Sequence, residues 1–158
     1  MFTNVMGFYI PCLLALIAFV FILRDQKKVS AIYPVSFLVS LCFAGGVMFG
    51  LELGWVVRDD NQTSLHLVAT FPLIVFSYKL LRMVVNKKHY DYFNIQWVYL
   101  GTFSTMAISD VLMAYFHIEN AFYSAIGGAG IYDALFVLPL SLVFVSILIN
   151  KQVKGLSH

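Results

Sequence analysis

The sequence predicts an all-α membrane protein, a single bundle of five transmembrane helices. Of its 158 residues, 61% are hydrophobic and 11% are charged, whereas a soluble domain is about half apolar and about 25% charged. The apolar residues form five long runs, and a helix needs about 20 such residues to cross a bilayer. The chain has too few polar residues to cover a water-soluble globule, so we expect lipid to surround it.

Each of the five runs predicts one span. Residues 6–23 have no basic segment before them, which indicates a retained first span and not a cleaved signal peptide. Residues 33–57 and 65–85 predict the second and third spans. Residues 97–116 and 126–149 predict the last two, and each of these carries a single aspartate. The runs are continuous and do not alternate as barrel strands do, which favours helices.

The basic residues predict the orientation of the spans. Arg58 alone lies on the side that we expect to face outward. The other nine Lys and Arg residues belong to the first loop, the third loop and the tail: Arg24, Lys27, Lys28, Lys79, Arg82, Lys87, Lys88, Lys151 and Lys154. Of these, Lys79 reaches the third loop by extending its side chain. The positive-inside rule then places the N-terminus outside and the C-terminus in the cytoplasm. This clustering between apolar runs indicates membrane topology, not nucleic-acid binding, and we expect a prokaryotic inner membrane.

With this topology, the acidic residues and histidines in or directly beside the spans gather near the outer face. They are Glu52, His66, Asp110, His117 and Asp133. A carboxylate deep in the bilayer costs about 3 kcal/mol, so Asp110 is expected to face protein or water. It shares one helix face with Ala107, Ala114 and His117 by spacing. The alternative for Asp110 is a protonated side chain that hydrogen-bonds a neighbouring helix.

Asp133 follows the glycines Gly127, Gly128 and Gly130. One interpretation is an acid in the first turn of a helix, stabilised by the helix dipole. The other is a broken or re-entrant segment of the kind that exposes backbone groups to a solute in transporters. In that case Asp133 is the partner of Asp110.

The second predicted span combines a glycine ridge with an acid. Gly46, Gly50 and Gly54 recur every four residues, a spacing that lets another helix approach closely, either in a membrane partner or in a second copy of this chain. Glu52 projects nearly opposite this ridge. Its position beside Trp55 also fits a hydrated residue at the membrane boundary.

A metal site and a cofactor have little support in the sequence. His66 and His117 form no HxxxH or HExxH pattern, so a metal site with Asp110 or Glu52 would have to be built across helices. Nothing in the sequence calls for a cofactor. The absence of a Walker loop, GxSxG and CxxC weakens most hydrolase and redox functions.

The last third of the chain resembles a family of uncharacterised prokaryotic polytopic membrane proteins. In that family a Gly-Thr pair leads to an intramembrane aspartate, and an IGGAG run leads to Phe-Asp-Gly-Ile-Phe. The stretches YLGTFSTMAISDVL and SAIGGAGIYDALF match at Gly101, Thr102, residues 126–130, Phe136 and both aspartates, with Tyr132 and Ala134 as departures. The resemblance implies that Asp110 and Asp133 belong together, and it implies no activity.

Three functions are consistent with these residues. The first is binding or passage of a cation or small solute at an outward acidic pocket, in a small transporter or a transporter accessory subunit. Asp110 and Asp133 would form this pocket, with Glu52, His66 and His117 around it. The second is an intramembrane enzyme that uses the two aspartates on a lipid or peptide, as intramembrane aspartyl proteases do, although GAGIYD departs from their Gly-x-Gly-Asp spacing. The third is a non-catalytic interaction or immunity protein.

Overall fold

The predicted helical bundle is confirmed in a computed structural model, which describes residues 5–25, 29–48, 55–58, 64–67, 70–85, 92–116 and 133–156. The described residues form five α-helices and one two-stranded antiparallel hairpin. The helices are α1 (Ile10–Arg24), α2 (Ile32–Met48), α3 (Thr70–Val85), α4 (Ile95–Phe116) and α5 (Ala134–Leu156). A single π-helical turn, Val5–Tyr9, leads into α1.

Helix α4 is the centre of the bundle, and each of the other four helices packs against it. Tyr33 near the start of α2 bonds to Asn94 just before α4, so these two helices begin at the same end. Asn150 near the end of α5 bonds to Phe93, so α5 runs antiparallel to α4. Helix α3 is also antiparallel to α4, because Phe71 at its start lies against Gly101 and Lys79 further along bonds to Tyr92. The helices therefore alternate in direction from α2 to α5.

Two apolar clusters fill the interior on the two sides of α4. The first joins α1, α4 and α5 through Ala15, Ala18, Tyr99, Phe103, Met106 and Leu135. The second joins α2, α3 and α4 through Tyr33, Phe71, Val75, Phe93 and Val98. The Phe71 ring occupies the space that a Cβ atom on Gly101 would need, so the absence of a side chain at this position lets α3 approach α4 closely.

The outer faces of the helices are apolar. Among the large hydrophobic side chains that are exposed are Leu13, Leu16, Phe19, Val20 and Leu23 on α1, Leu81 and Val84 on α3, and Phe144 and Leu148 on α5. In the part of the chain that the structure describes, two helical stretches are long and apolar enough to cross a membrane, Met6–Arg24 and Ala134–Gly155. Ile32–Cys42 is a shorter apolar helix.

The hairpin changes the boundaries that the apolar runs predicted. Trp55–Arg58 (β1) pairs with Ser64–Leu67 (β2), with Val56 opposite His66. Residues 55–57 of the predicted second span and 65–67 of the predicted third span therefore lie in strands. Trp55, Val56 and Val57 are residue types that favour strands, and the polar residues after them favour a turn. An apolar run of this kind does not separate helix from strand.

Candidate functional site

Asp110 and Asp133, the aspartates of the last two predicted spans, lie at the same end of the bundle, on neighbouring helices. Asp110 is in α4, and Asp133 comes directly before α5. They lie level with one another, because Asn150 of α5 bonds to Phe93 at the start of α4, the two helices are antiparallel, and each aspartate is the same number of residues from that contact. The structure thus brings together the pair that the sequence could only suggest. We call this the acidic end of the bundle.

Asp110 lies at the edge of the first apolar cluster, on the side nearer the acidic end. Its neighbours one turn earlier on α4 are Met106, which is buried in that cluster, and Ala107, which packs against it. Since residues three and four apart share a helix face, Asp110 lies on the side of α4 that meets α1 and α5. Its side chain is half-buried.

Asp133 caps α5. Its Oδ1 accepts a hydrogen bond of 2.9 Å from the backbone N–H of Leu135, and its carbonyl oxygen accepts bonds from the N–H groups of Phe136 and Val137. An aspartate at this position satisfies one of the free N–H groups of the first turn and interacts favourably with the helix dipole. The helix-start interpretation of Asp133 is therefore correct.

The other predicted site residues are not positioned by the structure. Glu52, His117 and the glycine-rich segment at 126–132 lie outside the described residues. His66 lies in β2, and nothing is described of its side chain. Of the glycine ridge, Gly46 is in α2, whereas Gly50 and Gly54 are outside the described residues. The described residues include no group of three His, Cys, Asp or Glu side chains that could hold a metal ion.

A second polar constellation lies at the opposite end of the bundle, around the three residues that precede α4. Asn150 of α5 pairs with the backbone of Phe93 through two bonds, from Phe93 N–H to Oδ1 (2.8 Å) and from Nδ2 to the Phe93 carbonyl (2.9 Å). The Tyr33 hydroxyl accepts the N–H of Asn94 (2.7 Å). Asn94 in turn caps α4 by accepting the N–H of Trp97 (3.1 Å). We call these contacts the α4 clamp.

Lys79 completes the α4 clamp from α3. Its side chain is 1% exposed, and its Nζ donates a 2.8 Å hydrogen bond to the carbonyl of Tyr92. The same ammonium lies 5.2 Å from the ring centroid of Tyr33 and 5.5 Å from that of Phe93, within cation–π range. The prediction that Lys79 extends toward the third loop is confirmed, because Tyr92 lies at the end of that loop. It does so through the bundle interior.

Three more basic residues on the helices lie at this end. They are Arg82, in the last turn of α3, and Lys151 and Lys154, near the end of α5. We call it the basic end. In helices α2 to α5, the described basic residues therefore lie at the end opposite to Asp110 and Asp133.

Part of the α4 clamp is visible in the sequence, and part is not. Asn94, three residues before Trp97, is a helix-start signal, and Lys79 stands out in its apolar run. Nothing in the sequence links Asn150 to Phe93, 57 positions away, because a side-chain amide at the end of an apolar run fits equally well at the membrane boundary.

Comparison of the chain with protein-family models, with curated proteins and with solved structures gives no match. The family resemblance in the last third of the chain therefore stays a prediction. The functional conclusion depends on the geometry of the two ends.

Proposed function

We propose that this chain is an integral membrane protein whose acidic end opens outward and binds or passes a cation or small solute. It acts as a small transporter or as an accessory subunit of one, in a prokaryotic inner membrane. All five helices cross the bilayer in this proposal, with α4 at the centre. The observation that carries the functional part is the placement of Asp110 on α4 level with Asp133 at the start of α5.

The exposure of the apolar helices supports the membrane assignment. A helix as apolar as Met6–Arg24 or Ala134–Gly155 in a soluble protein is a core helix and is mostly buried. Here only 22% and 17% of these two windows are buried inside the bundle. Helix α1 also belongs to the fold, since it contributes Ala15 and Ala18 to the first cluster and its Pro11 carbonyl accepts a bond from Tyr99. Lipid is the solvent that suits such a surface.

The separation of charge along the bundle supports the orientation. Basic residues are enriched on the cytoplasmic side of membrane proteins. The basic end, with Arg82, Lys151 and Lys154, is accordingly the cytoplasmic one. The acidic end then faces outward, so a solute reaches Asp110 and Asp133 from outside the cell.

The chemistry of the acidic end favours a positively charged ligand. Two carboxylates repel one another, and the repulsion is strong where apolar side chains replace water. One bound cation or one proton between Asp110 and Asp133 removes this repulsion. Intramembrane acids that face the bundle interior commonly mark such ion pathways.

The test is the thermal stability of the purified protein in detergent, across a panel of mono- and divalent cations and several pH values. Wild type is compared with the double variant Asp110→Asn/Asp133→Asn. The matched control is Asp25→Asn, which removes an exposed acid directly after α1. We expect a ligand-dependent rise in Tm in wild type and in the control, and none in the double variant.

One observation favours the non-catalytic interaction protein as the second candidate. Asp133 already has a structural role as the cap of α5, and a cap requires no ligand. If Tm responds to no cation and no change of pH in either wild type or the double variant, the acidic end is structural and this second candidate replaces the first.

A further inference from the structure

We propose that the acid pair exchanges protons, and that buried water carries them along a polar seam formed by Ser36, Trp97, Thr102 and Ser146. This inference rests on the proposed function, because it names the ion that the acidic end takes. It adds a second site in the middle of the bundle, between the aspartates and the basic end. The ligand of that second site is water.

The members of the seam are buried polar groups without a partner among the described residues. Ser36, Thr102 and Ser146 are all 0% exposed, and their hydroxyl oxygens make no hydrogen bond. The indole Nε1 of Trp97 is also buried and unbonded. A buried polar group without a partner costs free energy, and nearly all such groups in native proteins are bonded to protein or to ordered water. The described residues hold five such groups, the fifth being the Thr70 hydroxyl at the start of α3, and the four around α4 call for an occupant.

Other hydroxyls in the same bundle show that the helices can satisfy such groups by themselves. Ser40 donates to the carbonyl of Ser36 (2.7 Å). Thr105 donates to the carbonyl of Gly101 (2.7 Å). Ser36, Thr102 and Ser146 make no such bond to their own helices, which leaves their hydroxyls available to a molecule in the interior.

The seam spans three helices that meet along α4. Ser36 lies one turn beyond Tyr33 on the same face of α2, and the Tyr33 ring stacks on Trp97 at 6.0 Å. Ser146 lies one turn before Asn150 on α5, and Trp97 lies one turn after Phe93 on α4. Since Asn150 pairs with Phe93 and the two helices are antiparallel, Ser146 lies level with Trp97. Thr102 is on the same side of α4 as Val98, four residues earlier, in the second cluster.

The seam leads toward the acidic end. Thr102 and Asp110 are eight residues apart on one helix, which is about 12 Å at the helical rise of 1.5 Å per residue. Ser40 and Thr105 add two hydroxyl oxygens that can accept further bonds. In this proposal, a chain of a few waters connects the aspartates with the seam.

The donor set of the seam favours water over a metal cation. An indole N–H donates and cannot accept, so it offers nothing to a cation. The remaining ligands are single hydroxyls, whereas hard cations take six or more oxygens. Water uses both kinds of group, since it accepts from the indole and exchanges donor and acceptor roles with hydroxyls. Protons move along such a chain without any ion passing through the apolar interior.

Thermal stability tests whether the seam holds water. Thr102→Val keeps the shape of the side chain and removes its hydroxyl. If water is bonded there, the substitution removes one of its partners, and we expect Tm to fall by roughly 2–4 °C. If the seam is dry, the same substitution removes an unsatisfied hydroxyl, so a rise in Tm overturns the proposal.

Proton flux tests whether that water serves the acid pair. The full-length protein is placed in liposomes with an internal pH dye, and a potassium gradient with valinomycin drives proton entry. We expect flux in wild type, loss of flux in Asp110→Asn, and slower flux in Thr102→Val and Ser146→Ala. The matched control is Ser141→Ala, which removes an exposed hydroxyl from the same helix and keeps the wild-type flux.

The outcomes separate this inference from the proposed function. If Asp110 and Asp133 mediate a cation-dependent rise in Tm while wild type carries no protons, the proposed function stands and the proton inference is wrong. Flux that is equal in wild type, Thr102→Val and Ser146→Ala also overturns the seam. If the double variant responds to ligands as wild type does, the proposed function itself fails.

Discussion

The polar groups at the two ends of the bundle differ in whether they have partners of complementary kind. At the basic end, the α4 clamp gives each of its groups a partner of complementary kind: an ammonium with a carbonyl and two aromatic rings, and an amide with a peptide. At the acidic end, Asp110 and Asp133 place two carboxyl groups level with one another on neighbouring helices. The first arrangement lowers the free energy of the folded chain by itself. In the proposed function, the second raises it until something positive binds.

This difference distinguishes structural from functional polar residues inside an apolar bundle. Polar groups that hold a fold together are satisfied within it, because an unsatisfied one destabilises the native state. Groups that await a ligand break this local rule, and the rest of the fold compensates for their cost. The α4 clamp joins α2, α3 and α5 to the start of α4 and can supply that compensation.

The largest effect is expected at the α4 clamp, from Asn150→Leu. Leucine has a similar volume but cannot bond to Phe93, so it leaves a backbone N–H and a carbonyl in the interior without partners. At about 1–3 kcal/mol for each such group, we expect the free energy of unfolding to fall by about 2–4 kcal/mol. Denaturant-induced unfolding in detergent micelles measures this.

Gln152→Leu is the matched control for that substitution. Gln152 is an exposed amide two residues further along α5, and surface substitutions of this kind are usually within about 0.5 kcal/mol of wild type. Equal effects of the two substitutions would show that the α4 clamp contributes nothing particular, and the contrast between the ends would be lost.

The helices were the part of the fold that the sequence could predict. Long apolar runs decide helix position in lipid because a lipid-exposed backbone must bond within itself. The hairpin escaped this reasoning, since Trp55 to Val57 continue an apolar run while their side-chain types favour a strand. Helix α5 begins at Ala134, whereas the apolar run predicted that the last span begins at residue 126.

The candidate site was predictable in part. Asp110 is conspicuous because a carboxylate in an apolar run is costly, and its position on α4 could be read from spacing. The position of Asp133 beside it could not be read from spacing, because packing between α4 and α5 sets the distance across the bundle. For the same reason, the link between Asn150 and Phe93 and the alignment of Ser146 with Trp97 appear only in the folded chain.

The second prediction separates the two roles of Asp133. Asp133→Ala loses the cap of α5, and such a loss typically costs about 1 kcal/mol. Asparagine is as good a cap as aspartate, and it also removes the repulsion with Asp110. We therefore expect Tm to fall in the alanine variant and to equal or exceed that of wild type in Asp133→Asn. Equal losses in the two variants would show that the charge of Asp133 stabilises the protein, contrary to the comparison of the ends.

The smallest effect on stability is expected for Asp110→Asn, and its sign is opposite to that of Asn150→Leu. The amide keeps the size of the side chain and removes one of two repelling charges. Replacing a functional residue in this way commonly stabilises a protein by roughly 0.5–2 kcal/mol, and we expect a value in the lower half of that range in the absence of ligand. The same variant should no longer gain stability from the cation that stabilises wild type, and both effects are measured as Tm in one titration. A fall in Tm without ligand would instead identify Asp110 as a hydrogen-bonded contact between α4 and its neighbours. The polar groups at both ends of the bundle would then stabilise the fold.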